Sequence, residues 1–151
     1  MRKKYLATGW PHHLAEIWEE LVRQSVAEMP IDGTRWHPAA RWWGKTEDGD
    51  TCEIDVVAEG VDDPNKLLVG EVKLSCARQD VPRLLAEVLR KAQRCSWARG
   101  RTLTSHLWVL RSPGHALPTT ATDARQLLAS WRENLARQDA GMDLENPHVR
   151  C

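Results

Sequence analysis

The run Glu53-Ile54-Asp55-Val56-Val57-Ala58 decides the fold, together with Leu68-Val69-Gly70-Glu71-Val72-Lys73, which follows it after a polar turn. Both runs are rich in β-branched residues, which is typical of strands. The turn Gly60-Val61-Asp62-Asp63-Pro64-Asn65 between them favours a tight reversal of the chain. Charged side chains in the middle of such strands are costly to bury, so their presence predicts a functional site.

Strand alternation assigns these charged residues to faces of the sheet. In the first strand we expect Asp55 to share a face with Glu53 and Val57, and in the second Glu71 and Lys73 to share one. The opposite faces are expected to carry Ile54, Val56 and Ala58 in the first strand and Leu68, Gly70 and Val72 in the second. The charged faces coincide if the two strands pair in a suitable register.

The length and charge of the chain limit what it can be. Its 151 residues predict a single domain, with a core over about 12–138, an irregular lead-in over 1–11 and a polar tail over 139–151. It carries 21 Lys plus Arg against 21 Asp plus Glu, so any nucleic-acid-binding surface must be local.

The sequence also bears on the compartment. No apolar run approaches membrane-spanning length, and the N-terminal residues lack the apolar stretch of a secretory signal. The four cysteines are widely spaced, with no metal-ligand pair, and the histidines show no zinc spacing. We therefore expect a cytoplasmic protein with reduced thiols and no membrane association.

Periodicity and turn signals predict the element order. A helix is expected over 12–29, strands over 34–43, 51–59 and 66–74, a helix from Asp80, a strand over 102–110 and a helix over 122–138. Short connections favour an antiparallel meander for the first three strands, and the helical crossover favours parallel pairing of the fourth. Trp36, Trp42 and Trp43 are expected to pack in the first strand. The fold class is α/β, with helices covering a central mixed sheet.

One acid of the first helix is placed to reach the sheet. The helix carries an apolar stripe that includes Ile17, and Glu19 falls at the edge of this stripe beside Val26. Glu20 and Arg23 are expected to project away from it. The alternative for Glu19 is a solvated boundary residue.

The charged residues of the two strands suit a divalent metal. The carboxylates of Asp55 and Glu71 and the backbone carbonyl of Val72 offer hard oxygen ligands to Mg²⁺ or Mn²⁺. Lys73, one pleat beyond Glu71, would hold or help deprotonate an attacking water, and Glu19 would assist. Glu53 is a further accessory acid on the predicted Asp55 face. The alternative is an exposed Glu71–Lys73 salt bridge, worth about 0–1 kcal/mol.

At these residues the chain resembles the PD-(D/E)XK nuclease-like superfamily, and more closely the domain of unknown function at the C-terminus of archaeal-type ATPases. The resemblance spans most of 12–115. It rests on Trp18-Glu19-Glu20-Leu21-Val22, Arg41-Trp42-Trp43-Gly44-Lys45, Glu53-Ile54-Asp55-Val56-Val57-Ala58, Gly70-Glu71-Val72-Lys73 and Ser112-Pro113-Gly114. Ile54 stands where the motif that names the superfamily has proline, and Leu74 directly follows the motif lysine.

The resemblance implies a restriction-endonuclease-like core and a metal-dependent endonuclease that cleaves DNA. It places Asp55, Glu71 and Lys73 at the superfamily's catalytic positions and Glu19 at its helical acid. The chain has no G-x-x-x-x-G-K-[ST] loop, so an ATPase domain would lie elsewhere, in the same or another chain. We expect a stand-alone version or an excised C-terminal domain.

Two rival interpretations stay open at the level of sequence. One is a catalytically inactive nuclease-fold module for DNA binding or partner docking, and the other is a structural domain whose acids are only solvated. For contacts to phosphates, Arg41, Lys45 and Arg78 are the candidate cations near the site. The oligomeric state is open, with a homodimer among the options.

Overall fold

A computed structural model describes residues 2–112, 114 and 116–145 of the chain, with side chains from Gly9 to Gly141 within those ranges. Its helices are α1 (Arg2–Val26), α2 (Val81–Gln93) and α3 (Ala124–Glu145). Its strands are β1 (Ala40–Lys45), β2 (Thr51–Glu59), β3 (Lys66–Ser75), β4 (Thr102–Arg111) and β5 (Ala121–Asp123).

The five strands form one mixed sheet in the order β1-β2-β3-β4-β5. β1, β2 and β3 pair antiparallel, whereas β4 pairs parallel with β3 and β5 parallel with β4. The predicted meander and the predicted parallel fourth strand are therefore confirmed. The fold is α/β, with three helices flanking the sheet.

The helices cover opposite faces of the sheet. Trp18 and Val22 of α1 and Leu127 of α3 pack in one buried cluster with Val56 and Trp108. On the other face, the apolar stripe of α2 is buried against the sheet in two further clusters. Among the described residues, no helix is both long and apolar enough to cross a membrane.

The first helix is longer at its N-terminus than the sequence indicates. The expected irregular lead-in is wrong over 2–11, because these residues are helical and Pro11 lies inside α1. Residues 9–13 are exposed, and Pro11 has no N–H to donate to the carbonyl group four residues earlier. The helix ends at Val26 rather than Met29, and Ile17 is 52% exposed rather than part of a buried stripe.

The first strand is shorter than predicted. It begins at Ala40, and the preceding segment makes only the isolated bridges Ile31–Thr34 and Trp36–Gly60. Pro38 lies in this segment and has no N–H for a ladder hydrogen bond. Trp36 is buried as expected, but Trp43 is 70% exposed and does not pack.

The C-terminal part contains a strand that the sequence did not indicate. Residues 121–123 form β5 against β4, so the third helix begins at Ala124 and not at Thr122. The expected tail is helical as far as Glu145, and residues 146–151 lie outside the described residues. Pro113 of the Ser112-Pro113-Gly114 loop also lies outside them.

Candidate functional site

A β-bulge in β2 shapes the site. Trp42 pairs with Ile54 and Ala40 with Val57, so the two residues Asp55 and Val56 lie opposite a single residue of β1. Ile54 and Val57 pack with α2, whereas Val56 and Ala58 pack in the cluster that contains α1. The predicted strict alternation is therefore wrong at Asp55, because the extra residue changes the face from there onward.

Asp55 is held at both its side chain and its backbone. The β2–β3 pairing is described from Glu59 to Val56, and beyond it the N–H of Val72 donates to Asp55 Oδ2 over 2.9 Å. The backbone carbonyl of Asp55 accepts a hydrogen bond from Arg23 Nη1 over 3.2 Å. The carboxylate thus replaces a backbone acceptor at the end of the ladder.

The surroundings of Asp55 disfavour its charged form. Burial raises the pKa of its carboxyl group to about 6, although the hydrogen bond from Val72 opposes this shift. The negative charges of Glu71 and Glu19 raise the pKa further, and the charge of Lys73 lowers it. The structure therefore brings Glu19, Glu71 and Lys73 close enough to Asp55 to interact with it electrostatically.

Two lysines contact the carboxylate of Glu71. Its Oε1 lies 2.8 Å from Lys73 Nζ, and its Oε2 lies 3.5 Å from Lys91 Nζ of α2. The Glu71 side chain is only 14% exposed, whereas Lys73 and Lys91 are 40% and 39% exposed, so the salt bridge that was the alternative is present, with its carboxylate largely buried and its cations at the surface. Residue spacing alone does not place Lys91 at this carboxylate, since the contact depends on how α2 crosses the sheet.

The surroundings of Lys73 favour its charged form. Burial alone would lower the pKa of its ammonium group, but the hydrogen bond to Glu71 and the charges of Glu71 and Asp55 outweigh burial and raise the pKa above its usual value. The backbone carbonyl of Lys73 accepts a hydrogen bond from Trp18 Nε1 over 3.2 Å, which attaches α1 to the end of β3.

Arg23 connects α1 to the site, contrary to its predicted outward direction. Its side chain is 15% exposed, and Nη1 lies 3.6 Å from Glu19 Oε2 while also donating to the Asp55 carbonyl. Glu19 itself is 24% exposed and faces this contact, so it is not a fully solvated boundary residue. The i,i+4 spacing of Glu19 and Arg23 was the available sequence signal.

The three candidate phosphate-contacting cations lie on separate elements. Arg41 of β1 forms an ion pair with Glu53, so its charge is compensated by the acid predicted as an accessory ligand. Lys45 is exposed opposite Thr51 beside the β1–β2 turn, and Arg78 is exposed in the turn before α2. Their role in phosphate binding stays a prediction.

Within the part of the chain that the structure describes, no group of three or more His, Cys, Asp or Glu side chains has an arrangement that could hold a metal ion. Glu19, Asp55 and Glu71 therefore do not form a three-acid metal site in this arrangement, and the predicted ligand set is limited to the two carboxylates of Asp55 and Glu71 and a backbone oxygen of Val72.

A protein-family model matches residues 2–84, which is more than half of the chain and runs from α1 to the first turn of α2. The chain belongs to DUF234. This family is described as archaea and bacterial proteins of unknown function. The matched part of this DUF234 chain contains Glu19, Arg23, Asp55, Glu71 and Lys73, while Lys91 lies beyond it. No curated protein and no solved structure matches the chain.

Proposed function

We propose that this DUF234 chain is a metal-dependent nuclease with a restriction-endonuclease-like core that hydrolyses phosphodiester bonds in DNA. The observation that carries the proposal is the half-buried Asp55 carboxylate, held by the Val72 N–H beside Glu71 and Lys73. The resemblance to the PD-(D/E)XK superfamily supports it. So does the order of helix, three antiparallel strands, helix and parallel strand.

The donor set suits a divalent cation. The raised pKa of Asp55 reflects a carboxylate that is partly desolvated and close to two other acids, and a cation there would relieve this unfavourable charge. Asp55, Glu71 and the carbonyl oxygen of Val72 would hold Mg²⁺ or Mn²⁺, with water completing the coordination. When bound, such an ion polarises a scissile phosphate and makes water more acidic.

Side chains of the protein would stabilise the negative charge that develops on the phosphate and position the water. Because its pKa is raised, Lys73 acts as a cation that stabilises negative charge developing on the phosphate, rather than as a base. Lys91 supplies a second positive charge on the other side of Glu71. Glu19 would assist by binding the same ion through water.

DNA is the proposed substrate, with Arg41, Lys45 and Arg78 as the proposed contacts to its backbone. An ATPase domain in the same or another chain is a proposed partner. The formal net charge of zero means that DNA would be recognised by local cations and not by a basic surface as a whole.

A second candidate is a catalytically inactive nuclease-fold module that binds DNA or docks a partner. Its specific support is that two lysines already neutralise Glu71. A carboxylate paired in this way has less charge to offer a metal ion, so the fold would be retained for binding alone.

Nicking of supercoiled plasmid DNA, with Mg²⁺ or Mn²⁺ and with a chelator, tests the proposal. We expect metal-dependent nicking that is abolished in Asp55→Ala and in Lys73→Ala. Glu59→Ala and Lys66→Ala are matched controls on the same two strands, and both should nick normally.

Calorimetry separates the two candidates. Binding of Mg²⁺ by the original chain but not by Asp55→Ala would support the nuclease. Absence of metal binding together with retained DNA binding would favour the inactive module. Nicking that survives in both Asp55→Ala and Lys73→Ala would contradict the proposed site.

A further inference from the structure

Two thiols from distant parts of the sequence lie in contact on the α2 side of the sheet. Cys52 of β2 and Cys95, just after α2, have their Sγ atoms 4.0 Å apart. Both are free cysteines, and Cys52 is half-buried whereas Cys95 is only 1% exposed. The pair is not part of the candidate nuclease site.

Ion pairs hold the two thiol-bearing segments together. Arg94, beside Cys95, contacts Asp48 and Asp50 of the β1–β2 turn, and its carbonyl accepts a hydrogen bond from the Glu47 N–H over 2.8 Å. Arg99 forms another ion pair with Glu47. The contact between the thiols is therefore part of a packed junction between this turn and the C-terminal end of α2.

The sulfurs are close to bonding distance. A disulfide has an S–S length of about 2.05 Å, so the two sulfurs must approach by about 2 Å. Rotation of a cysteine side chain moves its sulfur by a comparable distance while the backbone stays in place. Cys95 Sγ currently contacts the Lys91 carbonyl at 3.3 Å, a weak hydrogen bond that such a rotation would break.

We propose that Cys52 and Cys95 form a reversible, peroxide-induced disulfide that links β2 to the C-terminal end of α2. The thiolate of Cys52 attacks one oxygen of hydrogen peroxide, the O–O bond breaks, and the departing hydroxide takes up a proton as water. Cys95 sulfur then attacks the sulfenic acid sulfur of Cys52. The S–O bond breaks, and the hydroxide leaves as water with the Cys95 proton.

The reaction is balanced: two thiols lose two electrons and two protons, and one peroxide becomes two waters. The order of events follows from exposure. Cys52 is the sulfur that solvent reaches, whereas burial and the neighbouring Cys52 raise the pKa of the Cys95 thiol to about 12. Cys95 therefore stays protonated until the sulfenic acid forms beside it.

The link would join two elements that frame the candidate site. Cys52 lies three residues before Asp55 in β2. Lys91 lies four residues before Cys95, and its Nζ contacts Glu71. The disulfide would hold these elements at a constant separation. The proposed disulfide does not depend on nuclease activity, because its formation is measured on the folded chain itself.

Peptide mapping and thermal unfolding of the full chain test the proposal. After hydrogen peroxide treatment we expect the intact mass to fall by two hydrogen atoms and Cys52 and Cys95 to appear in one cross-linked peptide. Dithiothreitol should reverse both changes. The oxidised chain should melt about 5–15 °C above the reduced chain, as is typical of a disulfide that closes a long loop.

Variants make the result specific. In Cys52→Ser both the cross-link and the increase in melting temperature should disappear, and substitution of this half-buried thiol leaves the buried Cys95 in place. The double variant Cys76→Ser/Cys151→Ser keeps only the two proposed partners and should still form the link. Sulfinic acid at Cys52 with a free Cys95 thiol, or linkage only between two chains, would overturn the proposal.

Discussion

The backbone N–H of Val72 donates to a carboxylate oxygen of Asp55 over 2.9 Å, beyond the described pairing of β2 with β3. A side chain thus substitutes for a backbone acceptor, and the bulge in β2 makes room for it. The hydrogen bond favours the charged carboxylate, yet burial has the larger effect and raises the pKa of Asp55 to about 6. The ionised site is therefore held in an unfavourable state by the surrounding fold.

Asp55→Asn should stabilise the protein at high pH. The carboxyl pKa rises from 3.8 to about 6 on folding, so the folded state binds more protons and loses stability as the pH rises through this window. Asparagine keeps an oxygen for the Val72 N–H but carries no charge. In urea unfolding we expect the free energy of unfolding to rise by about 1–2 kcal/mol at pH 8 and to change little near pH 4. The value at pH 8 is smaller than the full pKa difference implies because Asp55 is partly exposed to solvent.

The comparison must be made at each pH because His106 has the opposite dependence. Burial lowers its pKa from 6.5 to about 4, so its contribution to stability is lost as the pH falls through that range. Glu59→Gln, on the same strand and exposed, is the control and should show no such gain. A variant Asp55→Asn that is less stable than the original chain at pH 8 would contradict the account.

Arg23→Met should loosen α1 from the bulge. The substitution keeps an apolar stem but removes the donor to the Asp55 carbonyl and the cation beside Glu19. We expect a loss of about 1–3 kcal/mol in the free energy of unfolding, because a half-buried carbonyl and a carboxylate lose their partner.

The control for this variant is Arg35→Met, which removes an exposed ion pair to Asp62 and should change stability by less than about 0.5 kcal/mol. Chemical denaturation of both variants provides the measurement. Equal, small effects would mean that Arg23 does not attach the helix to β2.

Gly70→Ala should destabilise the sheet beside Glu71. A Cβ at Gly70 would overlap the ring of Trp108 and lie 3.0 Å from the His106 carbonyl oxygen, both in the neighbouring strand β4. Trp108 is 2% exposed and cannot move aside freely. We expect a loss of about 1–3 kcal/mol or more in the free energy of unfolding.

Gly9→Ala is the matched substitution in α1, where nothing lies within 4 Å of the added Cβ. Because alanine is the better helix former, it should be neutral or stabilising by up to about 1 kcal/mol. Differential scanning calorimetry of the two variants compares them directly. A Gly70→Ala variant as stable as the original chain would contradict this expectation, because β3 and β4 would then accommodate the added Cβ without loss of stability.

Sequence reasoning succeeded where the signal was local. Periodicity and turn residues located β2, β3 and the start of α2 to within about a residue, and the charged residues within apolar strands singled out Asp55, Glu71 and Lys73. It failed at the faces around Asp55, where Ile54 and Val56 pack on opposite sides of the sheet, because residue type does not reveal the extra residue of a β-bulge. It also missed β5, a three-residue edge strand defined by pairing with β4 rather than by its own composition.

The sequence by itself determined the order of the three helices and the first four strands, the α/β class and the charged residues of the candidate site, because these follow from residue type and spacing along the chain. Only the tertiary structure decided that Arg23 would bind the Asp55 backbone, that Lys91 would contact Glu71 and that Cys52 would meet Cys95. Each of these contacts joins residues from different elements. They depend on how α1 and α2 pack on opposite faces of the sheet, which local sequence patterns do not encode.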